Sequence, residues 1–134
     1  MDIYGINILA VVLATLGFMV VGFLWYGPLF GKRWMALHGY TEESMAGTNM
    51  TVVMAKGLTN SLVMAIGLAF MFNFLGVDSI MEAIHYSAML WLFFSATTQL
   101  LAHIYEKQPF ELTLINWGNQ LVGMVLAGVI ISLF

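Results

Sequence analysis

The residues best suited to metal chemistry lie near the two ends of one apolar segment. Glu82 and His85 have the Glu-x-x-His spacing of di-iron helical bundles, and His103 and Glu106 repeat it in reverse order. On one helix the two pairs would lie about 27 Å apart, so they cannot share an ion. The carboxylates that a di-metal site needs from other helices are missing at either depth. We therefore expect polar groups at helix ends, and we predict no metal and no cofactor.

Other reactive side chains point to no catalytic site. Met50 and Met54 are four residues apart and could hold soft Cu(I), but 11 methionines in so apolar a chain are more typical of core packing. Cysteine is absent, which excludes disulfides and thiolate chemistry. No serine has a histidine and an acid at a matching depth for nucleophilic catalysis. We expect a protein that is not an enzyme.

Uncharged polar side chains recur at one depth of three predicted helices, about 6 to 15 Å from the predicted helix ends. They are Thr59, Asn60 and Ser61, then Ser95, Thr98 and Gln99, then Asn116, Asn119 and Gln120. Two interpretations stay open. The amides can hold the helices together by interhelical hydrogen bonds, or the layer can form a polar cavity or ligand site that faces the cytoplasm. None of these residues is charged, so a proton relay through carboxylates is not supported.

Four apolar segments position this layer. The chain is 61% hydrophobic and 8% charged, whereas a soluble domain carries roughly 25% charged residues. Each segment is close to the roughly 20 residues that a helix needs to cross a bilayer. We predict an all-α membrane protein of one domain (1–134), an antiparallel bundle of four transmembrane helices. The predicted spans are about 6–26, 53–75, 83–105 and 112–134, with a loop over 27–52.

Small residues at a spacing of about four line the first two spans. A spacing of this kind lets helix backbones approach closely, either within one chain or between chains. We favour packing within the chain, with dimerisation as the alternative. The small residues are Ala10, Ala14 and Gly17 in the first span, and Gly57, Ser61, Ala65 and Ala69 in the second.

The four basic residues predict the orientation. Lys32, Arg33 and Lys56 lie in or beside the first loop, and Lys107 lies in the third connection. By the positive-inside rule both of these regions should be cytoplasmic, with both termini outside. So few basic residues exclude a nucleic-acid-binding face. We predict a multi-pass protein of the bacterial inner membrane, with the lipid bilayer as its environment.

The stretch that follows the first span is typical of a helix leaving a bilayer. Trp25 and Tyr26 would lie at the headgroup level, and Gly27 and Pro28 are predicted to break the helix. Phe30, Trp34 and Leu37 then recur at helical spacing, opposite Lys32, Arg33 and His38, which predicts a short interfacial helix. We expect an interfacial anchor, and two interpretations stay open: plain anchoring, or an anchor that also places the loop over the polar layer. Its residues are Trp25, Tyr26, Gly27, Pro28, Lys32, Arg33 and Trp34. Thr41 is predicted to cap a further helix.

Three pieces of the chain resemble the signature of a family of small bacterial membrane proteins, domain of unknown function 1761. In order they are Trp25-Tyr26-Gly27-Pro28-Leu29-Phe30-Gly31-Lys32, Tyr40-Thr41-Glu42-Glu43, and Tyr105-Glu106 followed by Leu112-Thr113-Leu114-Ile115-Asn116. The resemblance implies four membrane helices and no established activity. The chain departs from the family pattern at Lys107-Gln108, where the family has Gly-Arg, and at Asn119, where it has an aromatic residue.

Two functional hypotheses follow. The first is a non-enzymatic integral membrane protein with a structural or regulatory role, acting through a homo-oligomer or a partner membrane protein. The second is a small transporter or channel subunit that uses the polar layer. Because four helices alone rarely enclose a pore, the second requires oligomerisation or a half-open cavity.

Overall fold

The computed structural model describes residues 2–134, with side chains from Tyr4 onward, and almost all of this part of the chain is helical. Four of its helices are long and apolar enough to cross a membrane, as expected from the sequence. We call them span 1 (Ile8–Leu29), span 2 (Met50–Leu75), span 3 (Ile80–Glu106) and span 4 (Phe110–Ser132). Between spans 1 and 2 lie the loop helix, Gly31–His38, and a short helix, Glu42–Met45.

Capping residues decide where spans 2 and 3 begin. The Asn49 side chain accepts a hydrogen bond from the N–H of Val52 at 3.3 Å, and Ser79 Oγ accepts one from the N–H of Glu82 at 3.1 Å. Such caps satisfy N–H groups that have no partner inside the helix. A hydropathy pattern does not predict these caps, because they depend on single polar side chains. The helices therefore begin at Met50 and Ile80, earlier than the predicted starts at 53 and 83.

Span 1 is preceded by a small hairpin that the sequence analysis did not predict. Strands Asp2–Ile3 and Ile6–Asn7 pair in antiparallel register. Tyr4 and Gly5 between them have φ angles of 55° and 76°, the positive values of a type I′ turn. Asn7 then caps span 1 by accepting the N–H of Ala10 at 3.1 Å. Span 1 therefore begins at residue 8 and not at 6.

The short helix after the loop helix begins where it was expected. Thr41 Oγ1 accepts the N–H of Ser44 at 3.1 Å, and Ser44 Oγ accepts the N–H of Thr41 at 2.8 Å. This reciprocal pair is a capping box in which serine takes the place of the more usual glutamate or glutamine.

Pro28 does not end span 1, contrary to the expectation. The helix continues through Trp25–Leu29 as a π-helical turn, and the N–H of Phe30 donates to the Trp25 carbonyl at 2.8 Å. A proline ring inside an α-helix clashes with the carbonyl four residues earlier, and the wider π turn relieves that clash. The break comes at Phe30, whose φ of −125° and ψ of 6° are not helical.

Spans 1 and 4 form the centre of the bundle. Span 1 packs against spans 2 and 4, and span 4 packs against spans 1 and 3. Alanines without any exposed surface lie at these contacts: Ala14, Ala65, Ala83 and Ala127. Most of the predicted small-residue positions, such as Ala10 and Gly17, are likewise buried within the chain. Gly57 is different, because a Cβ there would have no neighbour within 4 Å.

Spans 2 and 3 make few contacts, although only the turn 76–79 separates them in the chain. A gap of about 230 Å³ lies between them, with the side of span 4 as its floor. It is lined by Met64, Gly67, Leu68, Met71, Leu90, Phe94, Ser95 and Met124. The four helices therefore form an open bundle and not a closed ring.

Candidate functional site

Two aromatic side chains at the end of span 1 bind the start of span 4. The indole Nε1–H of Trp25 donates to the carbonyl of Ile115 at 2.8 Å, and the Tyr26 hydroxyl donates to Asn116 Oδ1 at 2.6 Å. The Trp25 ring also lies against Gly118, where a Cβ would come within 2.5 Å of ring atom Cζ2. Trp25 and Tyr26, predicted as an interfacial anchor, thus also join two spans.

The loop helix is held to the same part of span 4 by an ion pair. The Arg33 guanidinium donates to both carboxylate oxygens of Glu111, at 2.6 and 2.5 Å. These hydrogen bonds and the charge of Glu111 raise the pKa of Arg33. Both side chains are about half exposed, so solvent weakens the pair, and its main effect is to orient the loop helix. We call the region around Arg33, Glu111 and Lys107 the basic end of the bundle.

Aromatic rings cluster on one face of the loop helix. The Trp34 and His38 ring centroids are 4.5 Å apart, and His38 stacks on Tyr40 at 4.9 Å with nearly parallel planes. Tyr26 meets the edge of Trp34 at 6.0 Å. The expectation that His38 lies opposite Trp34 was wrong, because residues four apart share a helix face.

The remaining anchor residues lie on the outside. Lys32, Gly27 and Pro28 are exposed. The loop helix contacts the start of span 4. None of its residues lines the cleft that lies between spans 1, 2 and 4. The predicted covering role of the loop therefore has no contact to support it in the described part of the chain.

A cleft of about 310 Å³ lies between spans 1, 2 and 4, toward the basic end. By helical rise, its amides lie about 14 to 15 Å from the starts of spans 2 and 4. Its polar lining residues are Tyr26, Asn60, Ser61, Asn119 and Gln120, and its apolar ones are Phe18, Met19, Gly22, Phe23, Val53, Met54, Gly57 and Met64.

The polar side chains of the cleft do not bond to one another. Gln120 Nε2 donates to the sulfur of Met64 at 3.1 Å, and Ser61 Oγ donates to the sulfur of Met19 at 3.6 Å. A thioether sulfur is a weak acceptor. Asn119 Oδ1 is buried and has no hydrogen-bond partner in the described part of the chain. The cleft thus holds two donors that bond only to weak acceptors, and Asn119 beside them has a buried oxygen without a partner.

The other predicted layer residues lie outside the cleft. Asn116 bonds to Tyr26 beside it, and Ser95 lines the gap between spans 2 and 3. Gln99 is half-buried, and its Oε1 has no hydrogen-bond partner among residues 2–134. Thr59 and Thr98 are exposed, and each hydroxyl donates to a carbonyl of its own helix, Ala55 at 2.8 Å and Phe94 at 2.6 Å respectively.

A π-helical turn in span 3 explains why Thr98 faces outward. The turn, Trp91–Ala96, adds a residue to the helical repeat and rotates everything after it by about 100° relative to a continuous helix. Trp117 Nε1–H donates to the Ala96 carbonyl at 3.0 Å, and the Trp91 ring packs edge-on against Trp117 at 6.3 Å. Thr98 was placed in the polar layer by its depth along the helix, and the phase shift at the π turn directs its side chain away from the cleft.

The histidine and glutamate pairs have local structural contacts. Glu82 Oε2 accepts the N–H of Asp78 at 3.1 Å as part of the turn before span 3. His103 Nδ1 lies 2.7 Å from the carbonyl oxygen of Gln108. Among the side chains that the structure describes, from Tyr4 onward, no group of three His, Asp or Glu is close enough to hold a metal ion.

The methionines of the cleft were missed because every methionine was interpreted as core packing. Met19, Met54 and Met64 face the polar residues, whereas Met50 is exposed and does not join Met54. A signal was present in span 2, where Met64 follows Ser61 by three residues and so shares its face. The contribution of Met19 from span 1 depends on packing, and no local pattern predicts it.

Comparison with known proteins identifies the family and no function. Neither the curated proteins nor the solved structures include a match to this chain. The model of one family, described as a protein of unknown function (DUF1761), matches residues 9–132. The match covers most of the chain and includes spans 2 to 4 and all of span 1 except its first residue. The chain belongs to the DUF1761 family.

Proposed function

We propose that this chain is a multi-pass protein of the bacterial inner membrane, not an enzyme, whose cleft binds a small uncharged polar solute as part of a transporter or channel. The observation that carries the proposal is the unused hydrogen bonding of the cleft. Two donors are directed at thioether sulfurs, and Asn119 Oδ1 has no partner in the described part of the chain.

Polar groups without partners are costly at this depth. An amide that leaves water without gaining a hydrogen bond loses free energy, and the hydrocarbon core supplies no partner. If the amides served only to hold helices together, they would bond across the helices to oxygen or nitrogen partners, as Asn116 does with Tyr26. Water or a bound solute would give Gln120 a stronger acceptor than the Met64 sulfur, and the buried Asn119 oxygen would gain a partner once that side chain rotates toward the cleft.

The lining favours a neutral ligand with oxygen or nitrogen acceptors. No charged residue is among those that line the cleft. Its volume of about 310 Å³ is at the lower end of the range for small-molecule sites. A hydroxyl or carbonyl oxygen is a better acceptor than a thioether, so it would displace Met19 or Met64 from the donors.

The proposed topology exposes the cleft to the cytoplasm. We take the spans as antiparallel, with both termini outside, because the described basic side chains lie in or beside the connections at the basic end. In support, Trp25 at the end of span 1 contacts Ile115 near the start of span 4. The cleft then lies in the cytoplasmic half of the bundle.

A flux assay tests the proposal. We expect liposomes that contain the protein to admit small polyols or amides faster than empty liposomes, measured by stopped-flow light scattering. Asn119→Leu combined with Gln120→Leu should abolish the difference because both cleft amides are lost. Thr98→Val is the matched control, since Thr98 is polar but exposed outside the cleft. Rates equal to those of empty liposomes for every solute would contradict the transport role.

Binding is tested separately by solvent access. A cysteine at Asn119 should react with a charged, water-soluble thiol reagent if water or solute occupies the cleft. A cysteine at Leu16, which is exposed on the outer surface of span 1, should not react because it would face lipid. Equal protection at both positions would argue for a dry cleft and against this function.

A second candidate function is a structural or regulatory role through helix association. The exposed position of Asn60 and the gap between spans 2 and 3 favour it. This function needs no solute, and it predicts that the protein is recovered with a partner from native membranes.

A further inference from the structure

We infer that a second copy of this chain closes the gap between spans 2 and 3, with span 2 of one protomer against span 3 of its partner and the reverse contact beside it. The inference specifies the surface and the partner for the second candidate function. It does not depend on a solute in the cleft.

The gap has the features of an unfilled helix-packing position. Spans 2 and 3 make few contacts with each other, whereas both pack well against the central pair. Gly67 of span 2 borders the gap, and a Cβ at this position would meet no atom within 4 Å. Phe94 of span 3 projects from the other side and is 70% exposed. A neighbouring helix could approach Gly67 closely, as helices do at small residues in membranes.

The surface of span 2 next to the gap carries polar groups that lipid cannot satisfy. Lys56, Asn60, Val63 and Gly67 follow each other at spacings of four, three and four, so they form one stripe, and all four are exposed. Asn60 lies about 15 Å from the start of the helix by helical rise. Its side chain makes no hydrogen bond to another described residue. By contrast, Asn116 bonds to Tyr26 and Gln120 bonds to Met64.

The exposed side of span 3 offers matching groups at matching depth. Ser95 and Thr98 lie about 16 and 12 Å from the end of span 3 by helical rise, close to the depth of Asn60. Glu106 ends span 3 and is exposed. Lys56 lies about one and a half turns inside span 2, and its long side chain can extend to the membrane surface where Glu106 would lie. The one salt bridge in the described part of the chain is Arg33–Glu111, so Lys56 and Glu106 have no ionic partner there.

Charge selects between the symmetric arrangements. A two-fold axis that passed along span 2 would place Lys56 of each protomer next to its copy, and like charges repel. A two-fold axis between the protomers instead pairs span 2 of each protomer with span 3 of its partner. Lys56 then lies near the partner's Glu106 at both contacts. Such an isologous contact is closed and self-complementary.

Disulfide crosslinking tests this arrangement directly, since the chain has no cysteine of its own. Two differently tagged chains, one with Asn60→Cys and one with Thr98→Cys, are co-expressed and oxidised in native membranes. A disulfide requires Cα atoms about 4.4 to 6.8 Å apart, so crosslinking reports direct contact. We expect the mixed pair to crosslink and each variant alone to crosslink weakly. The control replaces Asn60→Cys by Leu16→Cys on the outer surface of span 1.

A charge exchange provides the second measurement. Lys56→Glu or Glu106→Lys alone should lower the crosslinked fraction about two- to five-fold, the range for a solvent-exposed ion pair, and the double variant should restore it. The inference is overturned if the mixed pair crosslinks no more than the Leu16 control, or if Asn60→Cys crosslinks mainly with itself. Solute flux with no crosslinking would overturn the dimer and leave the cleft proposal intact.

Discussion

At the residue scale, single glycines set how closely the spans approach. A Cβ at Gly118 would press on the Trp25 ring, and one at Gly123 would press on Phe18. At Gly57, which borders the cleft, a Cβ would meet nothing within 4 Å. The same residue type therefore serves close packing in span 4 and leaves space in span 2.

Gly118→Ala is predicted to destabilise the protein. Overpacking against Trp25 costs about 1 to 3 kcal/mol. Alanine's higher helix propensity offsets about 0.5 to 1 kcal/mol of that cost. Gly57→Ala, the control, should show the propensity gain alone. Unfolding in mixed detergent micelles measures both. Equal changes for the two variants would mean that Trp25 does not pack on span 4 as described.

Lys107→Gly is predicted to stabilise the protein. Lys107 ends span 3 with a φ of 56°, in the left-handed region, where a residue with a side chain pays about 1 to 2 kcal/mol relative to glycine. The variant should gain about 1 kcal/mol in the free energy of unfolding. Lys107→Ala removes the same charge but keeps the Cβ, so it should gain little. An alanine variant as stable as the glycine variant would assign the effect to charge.

At the element scale, two π-helical turns determine what the spans present to each other. The turn Trp25–Leu29 begins at the two residues that bond to span 4, Trp25 and Tyr26, and the turn Trp91–Ala96 presents the Ala96 carbonyl to Trp117. Each turn shifts the helical phase of the residues that follow. Regular periodicity therefore fails just where these helices make polar contacts.

Replacing Gly27 and Pro28 together by alanine should convert the first π turn to α-helix. The loop helix would then rotate by about 100° relative to span 1, and Arg33 would lose Glu111. We expect faster proteolysis of the loop, measured on inverted membrane vesicles, with Gly22→Ala as control because its Cβ meets no neighbour. Labelling of a cysteine at Asn119 should stay unchanged, since the loop helix does not line the cleft. Altered labelling would restore a covering role for the loop.

At the scale of the whole molecule, the order of the spans in space is 2, 1, 4, 3. This order leaves spans 2 and 3 with one free side each and creates both the cleft and the gap. A closed ring of four helices would have buried these surfaces. The open arrangement is therefore the feature on which both proposals depend.

The orientation of the molecule gives a further prediction. A cysteine at Asp78, in the turn before span 3, should react with a membrane-impermeant maleimide in intact cells. A cysteine at Gly47, exposed in the loop after span 1 and with open space around its Cβ, should react only after permeabilisation. The physical reason is that Lys and Arg lie at the basic end of the bundle, and the positive-inside rule places that end in the cytoplasm. The reverse pattern would place the cleft on the outer side.

The sequence by itself determined the helical class, the four apolar helices and the family. These follow from composition and from signals read along one helix at a time, such as the Thr41 cap. The cleft was only partly predictable. Asn60, Asn119 and Gln120 were identified by depth, but depth does not say which way a side chain faces, and Thr59 and Thr98 turned outward.

Only the tertiary structure decided which spans are neighbours and where the polar groups meet. The contacts of Trp25 with Ile115 and of Met19 with Ser61 join residues far apart in the chain. They depend on which helix faces meet, and the Trp25 contact depends on the close approach at Gly118. Four apolar helices of similar hydropathy can pack in several different orders, so hydropathy does not select one of them. The order that is adopted is selected by side-chain shape at the contacts, which no local pattern encodes.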